Sequence, residues 1–195
     1  MNKIVLASGN HGKIKELNPL FADRGIAVVP QSDFSVTPAE ETACTFVENA
    51  LIKARHAAQA TGLPSIADDS GIEVDALDGQ PGVYSARYAG ENASDQQNNR
   101  KLLDALRDVP ETQRIARYHC VLVFLRQAQD PTPIICQASW EGRILSSPIG
   151  SGGFGYDPLF YVAEHQCSAA QLPADIKNSI SHRAQALKLL ANRLK

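Results

Sequence analysis

The chain has 195 residues, of which 44% are hydrophobic and 21% charged, with a formal net charge of −2 from 19 basic and 21 acidic side chains. A chain of this length buries roughly 70% of its unfolded surface on folding, which allows a sizeable core, and the composition excludes disorder and coiled coil. The near-neutral balance lacks the basic excess of a protein that coats nucleic acid, so an anionic partner must be a small ligand met by local cations.

Lys3–Ala7 is β-branched and apolar, ends at Ser8-Gly9-Asn10 and predicts a buried strand. Ile14, Leu17, Leu20 and Phe21 follow at helical spacing up to Gly25, a good residue beyond a helix end. Pro19 inside that pattern predicts a kink or a late start, because it lacks a backbone donor. Ile26–Pro30 is a second strand. A β-loop-α-β opening points to an α/β fold.

Thr45-Phe-Val-Glu48 is a capping box, and Val47, Ala50, Leu51, Ala54 and Ala58 make one apolar stripe running towards Gly62. Pro64–Ala67 predicts a short strand ending in Asp68-Asp69-Ser70-Gly71, and Ile72, Val74 and Ala76 alternate as a further strand. Asp78–Gly82 is turn chemistry, and Ser94-x-x-Gln97 caps a helix whose core face is Leu102, Leu103 and Leu106. The middle third changes character. Ala116–Leu125 and Pro133–Trp140 are longer β runs that predict a hairpin, followed by a glycine-rich loop, Gly150–Gly155, and a short strand over Leu159–Val162. A last helix carries Leu187, Leu190 and Leu194 on one face. The expected fold is α/β: two closely packed lobes, approximately 1–110 plus 165–195 and 111–164, around a mixed, elongated β-sheet with flanking helices and a nucleotide cleft between the lobes.

The cysteines, Cys44, Cys120, Cys136 and Cys167, form no C-x-x-C pair, and Cys120 and Cys136 lie in apolar runs where a free thiol acts as a small hydrophobe. The Ile4–Ala7 run is too short for a signal-peptide core, and no apolar stretch reaches the ~18 residues of a membrane span. These features predict a cytoplasmic protein without a membrane partner.

Four segments carry possible chemistry. Ser8-Gly9-Asn10-His11-Gly12-Lys13 joins a strand to a helix, where backbone N–H groups, the helix N-terminus and Lys13 can cradle phosphate, although the Walker A spacing is absent and a plain turn has the same composition. In Asp68-Asp69-Ser70-Gly71 adjacent carboxylates repel unless a cation offsets them, and on a strand they face opposite sides and take different tasks. Glu40-Glu41 offers a second magnesium ligand or merely acidic charge before a helix, and Lys53 lies off the apolar stripe of that helix, where a solvated lysine is the default. Gly150–Pro158 contains G-x-G-x-x-G but no helix follows, which leaves either a loop with Phe154 and Tyr156 to stack on a base and Asp157 to hydrogen-bond it, or a tight structural loop. Lys177, His182 and Arg183 form a cationic cluster suited to an anion or a base carbonyl, or to a solvated surface.

Taken in order, SGNxGK, EE before T-F-x-E-N-A-x-x-K-A, ADDSG, PGxYSARY, GGFGYDP and K-x-x-x-S-H-R-x-A closely resemble the inosine/xanthosine triphosphate pyrophosphatase family, from Val5 to about Leu190, and most of all its bacterial dITP/XTP branch. Ser8 is a departure, since threonine is common there; both supply a hydroxyl. The resemblance implies hydrolysis of dITP, ITP and XTP to the monophosphate and pyrophosphate, with Mg²⁺ as cofactor and a homodimer as the assembly. It implies that Ser8, Asn10 and Lys13, within the loop that includes Gly9, His11 and Gly12, hold the triphosphate, and that Lys53 neutralises charge near the scissile phosphate. By the same match Asp69 is a metal ligand and proton acceptor, Glu41 or its neighbour Glu40 helps with the metal, Asp68 supports the site and Ser70 touches the nucleotide. Phe154, Gly155, Tyr156, Asp157, Lys177, His182 and Arg183 would read the base. A pyrophosphatase for modified pyrimidines and a non-enzymatic nucleotide sensor are the competing readings; the acidic pair disfavours the sensor, because carboxylates repel phosphates unless a metal intervenes.

Overall fold

The computed structural model describes residues 3–8, 11–22 and 25–194, except the side chains of residues 11, 12, 15, 16, 19 and 20. Gly9 and Asn10 of the first loop lie outside the described residues. Two compact units emerge: Met1–Asp69 with Cys120–Gln137 and Ala186–Lys195, and Ser70–His119 with Ala138–Gln185.

The first unit opens with β1 (Lys3–Leu6), α1 (His11–Ala22) and β2 (Ala27–Pro30), a parallel pair joined by a helix. α1 begins at His11 and continues through Pro19, so the late start expected from that proline does not occur; the other turns carry the loss of one backbone donor. Gly25, at φ +63°, donates its N–H to the Ala22 carbonyl and turns the chain into β2. α2 (Phe46–Thr61) is capped as expected, with the Glu48 N–H donating to Thr45 Oγ1 at 3.3 Å, and closes at Gly62, at φ +67°. Its buried face is mostly alanine. Ala50, Ala54 and Ala57 pack with Val5, Ala67, Val121 and Val123, and such small side chains let a helix approach a sheet closely.

β3 (Ser65–Val74) corrects the sequence reading. Two strands separated by an acidic loop were expected; one unbroken ten-residue strand forms, with Asp68 and Asp69 in its middle. A strand can carry buried carboxylates where each finds a charged partner, and both do. β3 pairs in parallel with β1. Ala76, expected in a strand, falls in a short 3-10 turn, Asp75–Leu77.

In the second unit β4 (Pro81–Gly82) pairs antiparallel with the end of β3, after a turn in which Asp78 and Gly79 take φ +51° and +83° and the Gln80–Pro81 peptide is cis. α3 (Asp95–Ala105) has a complete capping box between Ser94 and Gln97, and Leu102 and Leu106 are buried beside Ile72, Val74, Tyr118 and Phe160. β5 (Ile115–Leu125) and β6 (Ile134–Ile144) are neighbouring strands; β7 (Phe160–Val162) and β8 (Cys167–Ser168) continue antiparallel from β6. The fold is mixed α/β, with an eight-stranded sheet in the order β2-β1-β3-β5-β6-β7-β8 and β4 on β3. α4 (Ala174–Ile180) and α5 (His182–Arg193) complete the described helices. Among the described residues no helix is long and apolar enough to cross a membrane.

Candidate active site

Two clusters of polar side chains collect most of the predicted residues, one in each unit. In the first unit successive β3 residues turn to opposite sides and meet different helices. Asp68, almost fully buried, accepts from Lys13 Nζ of α1 at 2.7 Å, and its other oxygen lies 3.5 Å from the buried Cys120 thiol. Asp69 accepts from Lys53 Nζ of α2 at 2.6 Å, and the same ammonium donates to Glu41 Oε1 at 3.0 Å. Glu40, by contrast, is exposed. The strand, two helices and the segment before α2 therefore bring Lys13 to Asp68, and Lys53 to Asp69 and Glu41. Ser8 ends the β1 turn and donates its backbone N–H to the Leu6 carbonyl at 2.8 Å; Ser70 follows Asp69 in the strand. His11 and Gly12 start α1, and their side chains are outside the description.

The electrostatics follow from burial. Withdrawal from water raises the Asp69 carboxyl to about 6, against the downward pull of Lys53, and the charges of Glu41 and Asp68 add to the rise. For Lys53 burial opposes the charge, yet Asp69 and Glu41 outweigh it and hold the ammonium above its ordinary value. The ion pairs set the Lys13 ammonium against Asp68 and the Lys53 ammonium against Asp69 and Glu41.

Asn49 of α2 was not foreseen by the sequence reading. Fully buried, it accepts from the Ala43 N–H at 3.0 Å and donates to the Ala43 carbonyl at 3.3 Å, fixing the segment that carries Glu41. Only its place next to the capping residue Glu48 hinted at a structural task.

In the second unit the glycine-rich loop is shaped around Asp157. This carboxylate is buried: it accepts from the Phe154 N–H at 2.8 Å, from Lys177 Nζ, and more distantly from Tyr118 Oη at 3.5 Å. A Cβ on Gly153, at φ +74°, would fall 2.0 Å from Asp157 Oδ2, so glycine is required on both counts. Asp157 thus acts on the loop and on Lys177, whereas the sequence suggested a direct contact to a base. The two aromatics also separate. Tyr156 is core, its hydroxyl donating to the Ser85 carbonyl at 2.7 Å, while Phe154 is 59% exposed. Lys177 Nζ of α4 lies 4.7 Å from the Phe154 ring centre, and the Arg183 guanidinium of α5 lies 6.0 Å from it. His182, the first residue of α5, stacks on Tyr118 with ring centres 4.8 Å apart and planes within 8°. Burial drives the Tyr118 hydroxyl well above its ordinary pKa, so it remains a neutral donor. Nothing in the sequence around Tyr118 marked this stack, because the partners are 64 positions apart in the chain.

The first unit thus carries a buried acid–lysine cluster, and the second an exposed aromatic ring flanked by two cations. The model of the Ham1 family matches residues 4–193. The chain belongs to the Ham1 family. It is 59% identical over 195 residues to a dITP/XTP pyrophosphatase of Shigella flexneri, covering 100% of this chain and 99% of that protein. A Vibrio cholerae dITP/XTP pyrophosphatase is 61% identical over 190 residues, 97% of this chain and 95% of its own. Among solved structures, a HAM1 protein from Coxiella burnetii superposes with a TM-score of 0.95 at 52% identity, covering 100% of this chain and 98% of that one.

Proposed function

We propose that this Ham1-family chain hydrolyses dITP, ITP and XTP to the monophosphate and pyrophosphate, removing deaminated purine nucleotides before they enter DNA or RNA. Its high identity to dITP/XTP pyrophosphatases along the whole chain carries the reaction. The observation that carries the residue assignment is the Lys53 ammonium bonded to both Asp69 and Glu41. Ser8, Gly9, Asn10, His11, Gly12 and Lys13 take the triphosphate, and Ser70 touches the nucleotide beside them.

Magnesium is the cofactor in this reading, and the donor set fits it. Two hard carboxylate oxygens, from Asp69 and Glu41, converge on one cationic position, and a magnesium ion needs only one or two protein carboxylates beside phosphate and water. Among the described residues no group of three or more His, Cys, Asp or Glu side chains could hold a metal ion. When bound, the ion neutralises phosphate charge and makes a nearby water more acidic.

The chain's own groups do the rest. Asp69, its carboxyl raised to about 6, is ionised near neutral pH yet basic enough to take a proton from the attacking water. Water attacks the α-phosphorus, the bond from that phosphorus to the bridging oxygen breaks, and pyrophosphate leaves with the electron pair. Lys53 faces the negative charge that grows during this step, and Lys13 and Asp68 hold the edge of the phosphate site. For the base, Phe154 offers a stacking face on the loop that contains Gly155, Tyr156 and Asp157. Lys177, His182 and Arg183 supply donors to the purine 6-oxygen, where adenine carries an amino group instead. The assembly is a homodimer in the cytoplasm, as the family resemblance suggests, with no nucleic-acid or membrane partner; the net charge of −2 supports a small-molecule substrate.

The test is product analysis with ITP and magnesium, alongside XTP, dUTP, GTP and ATP. IMP plus pyrophosphate supports the reading. IDP plus phosphate, or an inert ITP, overturns it.

A further inference from the structure

Phe154 projects from a loop rich in glycine, and three glycines between positions 150 and 155 have positive φ. Such a loop has high conformational entropy, so something must fix the ring if it is to meet a base at one angle. On one flank the loop does not rest on packed core. A groove of about 980 Å³ opens between it and α3, lined by Asp95, Asn99, Leu103, Gly150, Phe154 and Pro158 among others. Across this groove's edge two α3 side chains, one helical turn apart, grip the peptide groups of one loop residue from both sides. Asp95 Oδ2 accepts from the Gly155 N–H at 2.6 Å, and Asn99 Nδ2 donates to the Gly155 carbonyl at 2.9 Å.

Gly155 itself takes φ +62° with open space where a Cβ would lie, and these hydrogen bonds hold both its peptide groups. The preceding N–H, that of Phe154, is held by Asp157. The backbone bearing the exposed ring is therefore pinned at successive N–H groups by two carboxylates and at the next carbonyl by an amide. α3 is itself well anchored, with a full capping box at its start and Leu102 and Leu106 in the core. It can serve as a rigid mount.

We propose that Asp95 and Asn99 are positioning residues for purine recognition: from α3 they clamp Gly155 and so orient Phe154 for stacking on the base. This inference rests on the reading of Phe154 as the stacking residue. Neither Asp95 nor Asn99 touches the substrate; their effect passes through the loop. Because the clamp acts on base binding and not on the phosphate chemistry, it sets KM for ITP and leaves kcat alone.

The experiment is steady-state hydrolysis of ITP by wild type, D95A, D95N, N99A, F154A and the double variant N99A/F154A. Asp95 is exposed, so D95A keeps the test available should loss of the buried Asn99 impair folding. The expected result is a KM raised by roughly fivefold or more in D95A and N99A, approaching the loss of one base stack, with kcat within about twofold. D95N, which retains an acceptor for the Gly155 N–H, restores KM most of the way. In the F154A background N99A adds nothing, a coupling that general destabilisation does not produce. An unchanged KM in D95A and N99A, or an equal rise with and without Phe154, overturns the clamp. The two levels fail separately: wild type inert on ITP refutes the activity, and an F154A variant with wild-type KM refutes the stacking residue.

Discussion

Replacing Lys53 with alanine gives the sharpest test of the phosphate site. The ammonium bonds to Asp69 at 2.6 Å and Glu41 at 3.0 Å, with side-chain exposures of 13% for the lysine, 9% for Asp69 and 28% for Glu41. Its loss removes one positive charge and the ammonium that Asp69 and Glu41 share. Removing one partner of a fully buried ion pair costs about 3–5 kcal/mol. Glu41 is partly in water and Asp69 can take up a proton, which reduces the expected cost to about 1–3 kcal/mol. For a protein of this size 1 kcal/mol shifts Tm by roughly 2–4 °C, so a loss of about 4–8 °C is expected for 2 kcal/mol in metal-free buffer. If the cost comes from unpaired acid, adding Asp69→Asn to Lys53→Ala should recover part of it. In catalysis, removal of one fixed charge aimed at the transition state typically lowers kcat by a hundred- to thousandfold. Pyrophosphate release from ITP measures this directly. A folded Lys53→Ala protein whose kcat stays within about threefold of wild type, or which changes only KM, refutes the transition-state role. A melting loss untouched by Asp69→Asn refutes the electrostatic account.

Asp69→Asn should abolish turnover without unfolding the protein. Because the folded carboxyl sits at about 6, above its ordinary 3.8, the fold disfavours the ionised form at pH 7, and this contribution to stability is lost as pH rises through 6. The metal-free variant should therefore melt no lower than wild type at pH 7, and a markedly lower Tm would show that the charge is wanted structurally. Gly153→Ala should raise KM for ITP at least severalfold, since the new Cβ meets Asp157 Oδ2 at 2.0 Å and the φ of +74° is costly for alanine; a wild-type KM would mean that the loop's shape is irrelevant to binding. Asn49→Ala removes both hydrogen bonds to Ala43, about 1 kcal/mol each, and loosens the segment bearing Glu41. A magnesium titration of its activity should shift to higher concentration, and an unmoved midpoint would separate Glu41 from the metal.

The sequence disclosed what depends on neighbours in the chain. The Ser94 capping box, Gly62, the Asp78–Gly82 turn and the alanine face of α2 follow from local geometry and have their expected form, while at Thr45 the N-cap forms but the Glu48 carboxylate accepts from the Thr45 hydroxyl. Misreadings came from contacts made across the fold. Asp68-Asp69 reads as a loop because two adjacent acids are poor strand residues; only Lys13 and Lys53, contributed by different helices, make the strand tolerable. Asn98 and Asn99 of α3, which no sequence signal marked, are both buried and hold loop backbone. Asp157 was legible as a loop carboxylate, but its enclosure by Phe154 N–H, Lys177 and Tyr118 belongs to residues 39 positions apart at the extreme.

The helix-borne side chains that hold loop backbone have a kinetic consequence. The N–H groups of Ala43, Ala89 and Gly155 donate to Asn49, Asn98 and Asp95, all seated on α2 or α3. Amides in irregular segments ordinarily exchange with solvent deuterium almost at once, whereas these three open only when the helix beneath them frays or a side chain lets go. Their isotope exchange should therefore track the slow helical amides and stand apart from the fast residues on either side in the chain, so that local order in these loops is inherited from the helices that support them.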